Sequence, residues 1–157
     1  MEAVAQTFAA GKVAPAITIL RIGNVAGADA LMTSARRHTA LGRPMPLHRF
    51  ADGSAPVRSY IGPDDLFDAI LALSAPHDGP PRIFNVAHPQ PVPLDGILNA
   101  YRSDVLPDLR WIYTPAPDHT PNRVTLSADK VQHFVNFDEY NNNATAMARQ
   151  VAGLPGR

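Results

Sequence analysis

The sequence predicts an α/β fold, and three observations predict it. A continuous, β-branched run from Ala16 to Ile22 reads as a strand of a parallel sheet, covered on both faces. Further strand-like runs alternate with helix-like ones, which favours an α/β or α+β layered arrangement. The first clear strand follows a helix-like stretch, Met1 to Ala10, with apolar residues at Val4, Ala5 and Phe8. The order of elements is that of the middle and end of an α/β chain.

Each element has its own signal. Gly11 is a C-terminal stop for the first helix. Ala28 to Leu41 has weak helical spacing, ended by Gly42-Arg43-Pro44. Met45 to Phe50 and Val57 to Ile61 are short strands with a turn at Asp52-Gly53 between them. Pro63 to Ser74 is the best-marked helix. Pro63 suits its first position, and Asp64 and Asp65 complement the helix dipole. Leu66, Ala69, Ile70 and Leu73 form its apolar stripe. Arg82 to Ala87 is a strand, Pro93 to Tyr101 a helix and Arg110 to Tyr113 a strand. Ser127 can cap a helix through Phe134, and Ala144 to Val151 is the last helix.

Composition narrows the functional classes. A chain of 157 residues is long enough for one ordinary domain with a core. Its formal net charge is zero, so its surface advertises neither a nucleic acid nor an anionic membrane. No apolar run approaches the roughly 18 residues of a membrane span. The N-terminus lacks the basic start and apolar core of a secretory signal. Cysteine is absent, which excludes disulfides and thiolate metal sites and suits a reducing cytoplasm. The six histidines are scattered without helical or hairpin metal spacing, so no metal is expected.

Several catalytic signatures are missing. There is no Gly-x-Gly-x-x-Gly or Gly-x-x-Gly-x-x-Gly for a dinucleotide phosphate loop. Gly11-Lys12 lacks the upstream glycine of a P-loop, and no Gly-x-Ser-x-Gly elbow occurs. No Tyr-x-x-x-Lys pair sets a phenol and an ammonium on one helix face. Five arginines stand between Thr33 and Ser59, at positions 36, 37, 43, 49 and 58, against one acid, Asp52. Guanidinium groups grip phosphate bidentately, so an anion or diphosphate pocket is one reading and a solvated surface the other. Arg58 stands apart because it lies in the strand "VRSYI" beside a helix start. Asn24 follows a strand end and can donate to and accept from a polar ligand, or close an Asx turn. Asp64 and Asp65 read as capping and dipole residues rather than an acid pair. Tyr60 and Trp111 read as core or rim aromatics, and His88 as a loop residue.

Three segments in order carry a resemblance: "ITILRIGNVAG", "FADGSAPVRSYIGPDDLFDAILAL" and "RIFNVAHPQPVPLDGIL". They resemble, in order and spacing, the extended short-chain dehydrogenase/reductases, the NAD-dependent epimerase/dehydratase group acting on nucleotide sugars. Those proteins show a strand ending Leu-Arg-x-x-Asn-Val-x-Gly, then an Arg-Asp-Phe/Tyr-Ile segment leading to Asp-Leu, then Phe/Tyr-Asn-Val/Leu-Gly. The tail "VTLSADKVQHFVNF" looks like the family's closing element. The match covers about Met1 to Tyr101 well.

The resemblance implies the C-terminal part of a Rossmann-like parallel sheet plus a small α+β substrate-binding lobe. Residues 1–30 would end the NAD(P)-binding domain and 31–157 would form mainly the lobe, with 57–90 returning to the sheet. "MEAVAQTFAAG" would continue the helix that carries Tyr-x-x-x-Lys in the family. It would belong to a helix used for dimerisation, so a homodimer is implied. Ile22 and Gly23 would border the nicotinamide of NAD or NADP. Asn24, Arg58 and Asn85 would bind the nucleotide-sugar substrate, and Asp65 would be structural. No catalytic residue is carried over. Departures are Ser59 for Asp, Gly62 for His or Tyr, His88 for Gly-x-Gly, and Asn136 for the Gly before Phe137. Two alternatives stay open: a non-catalytic, nucleotide-sensing relative, and a free-standing small-ligand domain.

Overall fold

Branched and bulky apolar side chains set β1 (Thr18–Ile22) beside β6 (Arg82–Val86) in a parallel pair, Ile19 opposite Ile83 and Leu20 opposite Phe84. The computed structural model describes residues 2–3, 16–77, 82–137 and 143–154. The expected N-terminal helix and its stop at Gly11 lie outside the described residues, apart from Glu2 and Ala3. Glu2 forms a bidentate pair with Arg21 of β1, at 2.7 Å for both contacts.

A parallel pair needs a long crossover. Between β1 and β6 run β2 (Asn24–Val25), α1 (Ala30–Ala40), β3 (Met45–Arg49), β4 (Val57–Arg58), β5 (Tyr60–Ile61) and α2 (Pro63–Leu73). After β6 come β7 (Val92–Pro93), α3 (Leu94–Asp104), β8 (Trp111–Pro115) and β9 (Arg123–Val124). A 3₁₀ turn (Val131–His133) and α4 (Asn143–Val151) follow. β2 pairs with β5 and β3 with β8, both in parallel. β4 lies between antiparallel β7 and parallel β9.

Two apolar clusters form the interior. One gathers Met32, Ala35, Met45, Leu47, Tyr60, Ile97, Leu98, Tyr101, Leu109 and Met147. The other gathers Ile61, Ala69, Leu73, Phe84, Val86, Val131 and Phe137. Tyr60 and Ile61 are adjacent on β5, so strand alternation sends one into each cluster. No helix among the described residues is long and apolar enough to cross a membrane.

Helix α2 starts as its sequence demands, with Pro63 in its first turn and Asp64 and Asp65 following. Gly62 offers no side chain to cap it. The cap comes instead from the last helix. Gln150 Oε1 accepts from the Asp64 backbone N–H at 3.1 Å, and Gln150 Nε2 donates to the buried Asp65 carboxylate at 3.0 Å. One amide thus satisfies a helix-terminal donor and a buried acid. A β-carbon on Gly62 would lie 1.9 Å from Gln150 Oε1, so the amide needs the glycine.

The structure corrects several expectations. Ile70, expected in the apolar stripe of α2, is 43% exposed beside Phe67 and Leu71, because burial follows Asp65, Ala69 and Leu73 at four-residue spacing. β1 is not covered on both faces: Arg21 and Ile22 are exposed, and β6 is its one strand partner among the described residues. Val57 to Ile61 is split at Ser59, since Arg58 pairs with Val92 and Val124 while Tyr60 pairs with Asn24. Ser127 does not cap a helix through Phe134. Its hydroxyl donates to Asp129 at 2.7 Å and closes a local turn, and one 3₁₀ turn follows. Asn136 does not use the left-handed backbone its position invites: among the described residues His119 is the one non-glycine with positive φ. The turn at Asp52-Gly53 forms, with Ser54 N–H bound to Asp52, but it does not join β3 to β4 as a hairpin.

Gly62→Ala is expected to cost about 2 kcal/mol or more in urea unfolding, since overpacking and buried unpaired groups each cost about 1–3 kcal/mol. Gly62→Ala and Gln150→Ala strike the same contact. Their combined cost should fall below the sum of the single costs. Additive losses would contradict the shared contact.

Candidate functional site

The carboxyl end of β1 opens on a cleft of about 670 Å³. Ile22, Gly23 and Asn24 form one wall, and Arg58, Ser59 and Tyr60 the next. Asp29, Leu31 and Ser34 come from the start of α1, Met45 and Pro46 from β3, and Val124 to Leu126 from the segment at and after β9. Crevices at the carboxyl ends of parallel strands are where open α/β sheets hold ligands.

Gly23 is where the β1–β6 ladder hands over to the β2–β5 ladder. Its N–H donates to Val86 O and the next N–H, of Asn24, to Ser59 O, both at 2.9 Å. A β-carbon at Gly23 would sit 3.0 Å from Ser59 O and 3.2 Å from Ala87 Cβ. A side chain at residue 23 would press on both neighbours, so the close approach of the strands favours glycine. Asn24 also donates its Nδ2 to Ser59 O at 3.2 Å, which holds the amide in place. Among the hydrogen bonds of the described residues its Oδ1 has no partner, so it can accept from a ligand.

Arg58 is held as firmly. Its Nη1 donates to Val57 O at 2.8 Å and Asn122 O at 3.1 Å, and its Nη2 donates to Pro121 O at 3.1 Å. These bonds use three of a guanidinium's five N–H donors and fix its plane. A fixed guanidinium with donors to spare loses little entropy on gripping an oxyanion. Ser59, which stands where the resembled family has Asp, is buried and accepts the Leu126 N–H at 2.8 Å. It ties the segment after β9 to the cleft.

Tyr60 is a core residue, 1% exposed, yet its hydroxyl donates to Asp29 Oδ2 at 2.5 Å. Asp29 is also the N-cap of α1, accepting the Met32 N–H through Oδ1 at 3.0 Å. Nearby, the Tyr101 hydroxyl accepts the Gly27 N–H at 2.9 Å. Burial first, and the Asp29 charge second, push both phenols well above the ordinary tyrosine range. Both stay protonated at any physiological pH and act as fixed hydrogen-bonding groups.

Ile22, Gly23, Asn24 and Arg58, the expected cofactor and substrate residues, therefore meet in one cleft. Asn85 does not join them. It lies within β6, and its Nδ2 donates to Ser127 O at 3.1 Å. The other arginines of the basic stretch do not converge either. Arg36, Arg37 and Arg43 are exposed, and Arg49 stacks 4.4 Å over Tyr113 beside a separate groove between Phe50 and Thr120. Asp64 is exposed and Asp65 is engaged by Gln150, so they are no acid pair. His88 lies in the loop after β6, as expected, and is buried there, edge-on to Phe137, with Nδ1 accepting the Gln90 N–H. Trp111 is a rim residue of the first cluster, with Arg102 stacked on it at 4.8 Å. Among the described residues no group of three or more His, Cys, Asp or Glu could hold a metal ion. Asp29 escaped the sequence reading, although an Asp just before Ala-Leu-Met is an N-cap signal.

No protein-family model and no curated protein matches the sequence. Solved structures do. MoeE5 in complex with UDP-glucose and NAD matches with a TM-score of 0.65 at 22% identity, over 96% of this chain and 51% of that one. UDP-glucuronic acid 4-epimerase from Bacillus cereus, in complex with UDP-glucuronic acid and NAD, matches at 0.64 and 13%, over 97% and 50%. TunA, an NAD-dependent NDP-hexosamine 5,6-dehydratase of tunicamycin biosynthesis, matches at 0.64 and 17%, over 97% and 50%. The chain spans about half the length of these enzymes. Its fold is the mixed α/β fold, with short parallel sheet pairs, of the C-terminal part of the Rossmann-like epimerases and dehydratases.

Proposed function

We propose that this chain is the C-terminal portion of an NAD-dependent nucleotide-sugar epimerase, dehydratase or reductase, and that it contributes the substrate cleft. The observation that carries the proposal is the meeting of Asn24 and the tethered Arg58 at the carboxyl end of β1. Structural neighbours solved with UDP-sugars and NAD support it.

Arg58 pairs with the substrate diphosphate through its remaining donors, and Asn24 accepts from or donates to the same ligand. Residues 31–157 form mainly the substrate lobe, with 57–90 lending strands to the cofactor sheet. Ile22 and Gly23 suit the edge of a nicotinamide site: the glycine gives backbone access, and Ile22 leaves an apolar side chain open beside the cleft. NAD supplies hydride acceptance and return when bound. The residues of this chain would only border it, because the sequence contains neither a glycine-rich phosphate loop nor Tyr-x-x-x-Lys. The protein would work in the cytoplasm and pair as a homodimer.

Isothermal titration of the 157-residue chain with UDP-glucose tests the cleft. Binding is expected, and Arg58→Ala should weaken it at least about tenfold, the scale of one charge-assisted bidentate contact. No binding, or equal binding by the variant, would contradict the proposal. The chain alone should form no epimer and bind no NAD, whereas extension upstream through a glycine-rich loop should restore NAD binding. A full-length parent that binds no dinucleotide would refute the assignment.

A further inference from the structure

The cleft holds a negative charge as well as a positive one. Asp29 lines it together with Asn24, and its position is over-determined. As N-cap of α1 it takes the Met32 N–H on Oδ1, and it takes the Tyr60 hydroxyl on Oδ2. An N-cap needs only the first of these bonds. The second fixes the rotamer and spends a buried phenol on one oxygen. Each carboxylate oxygen still has acceptor capacity, since an ionised carboxylate offers about four lone-pair sites. Its backbone C=O is engaged separately, by the Thr33 N–H and hydroxyl.

A carboxylate repels the phosphates that Arg58 attracts, so the cleft has two ends. Arg58 and Tyr60 are two residues apart on one extended segment and both line the cleft. The acid reached by Tyr60 and the Arg58 guanidinium thus line one cleft, and among the described residues no salt bridge joins them. A ligand satisfying both must carry its anionic group toward Arg58 and a hydrogen-bond donor toward Asp29. Leu31, Met45 and Leu94 add aliphatic lining, and among the described residues no salt bridge involves Asp29. Ser34, near the start of α1, also lines the cleft.

We infer that Asp29, oriented by Tyr60, is a specificity residue that accepts ring hydroxyls of the ligand and so sets the direction in which a nucleotide sugar enters the cleft. This rests on the nucleotide-sugar reading above and deepens it. The hydroxyls belong either to the ribose or to the transferred sugar; both present neighbouring O–H donors on a ring.

Asp29→Asn is the informative variant, because Asn caps helices as well as Asp and its amide N–H can donate to the Tyr60 hydroxyl where the carboxylate accepted from it. Isothermal titration would use UDP, its 2′,3′-dideoxy analogue, UDP-glucose and inorganic pyrophosphate against both proteins. If the ribose is held, Asp29→Asn weakens UDP about tenfold or more and the dideoxy analogue less than twofold. If the sugar is held, UDP-glucose weakens by that factor and UDP does not. Pyrophosphate should bind the variant equally or more tightly, since a negative charge has gone. A variant that binds UDP and UDP-glucose as well as the parent chain, or that gains affinity for both, would overturn the inference while leaving the cleft assignment intact. Equal losses for UDP and its dideoxy analogue, with no extra loss for UDP-glucose, would reduce Asp29 to a purely structural cap. Failure of the unaltered chain to bind any of the nucleotides would overturn both.

Discussion

The extended run Val57 to Ile61 is the constraint on which the rest depends. Every residue in it is bonded to a distant part of the chain. Val57 N–H donates to Asn122 O, and Arg58 pairs with Val92. Ser59 O accepts from Asn24 by both backbone and side chain, and its hydroxyl takes the Leu126 N–H. Tyr60 O accepts from His88, and Ile61 O from Ala26. Five consecutive residues thus pin the end of β1, the end of β6, the β7 strand and the segment around β9. Alternation then drives Tyr60 into one apolar cluster and Ile61 into the other. Fully buried residues of this size contribute several kcal/mol each, so the run is held by packing as well as by bonds.

From that anchoring the cleft follows. The same five residues that join the two clusters present Arg58 and the Tyr60 hydroxyl on the cleft side. Its lining is mostly aliphatic, with a few fixed polar groups, among them Asn24, Asp29, Arg58 and Ser59. That composition suits a small organic ligand with one anionic end. The polar groups are pre-set by contacts inside the protein. Arg58 is tied to the carbonyls of Pro121 and Asn122, Asn24 to Ser59, and Asp29 to Tyr60. Pre-setting lowers the ordering cost of binding. The far helix α4 contributes indirectly, by keeping Asp65 and the start of α2 in register with the end of β5.

The parts of this architecture written in local pattern were legible. The β-branched run of β1 and the Pro-Asp-Asp start of α2 carry their signals within a few residues. Asn24 stood out because it follows a strand end, and Arg58 because it lies in an extended run beside a helix start; folding brings both to one cleft. What depends on distant partners was not. Gln150 and Asp65 are 85 residues apart, and Tyr60 and Asp29 are 31 apart, so no window contains either pair. "VRSYI" reads as one strand, and only its partners divide it at Ser59. Asn85 lies in the strand the resemblance indicated, but its amide turns to Ser127 instead of the cleft. The arginine-rich stretch looked like one feature because it is contiguous in sequence; folding disperses it over α1, β3 and β4 and the turn after α1.

The central claim is that the end of β1 and the run from Val57 to Ile61 form one ligand cleft. Amide-resolved NMR of the 157-residue chain during titration with UDP-glucose tests it directly. Saturable shifts should concentrate at Gly23, Asn24, Ser59, Tyr60 and Leu126. Shifts centred on the groove between Phe50 and Thr120, or none at ligand concentrations in the millimolar range, would contradict it.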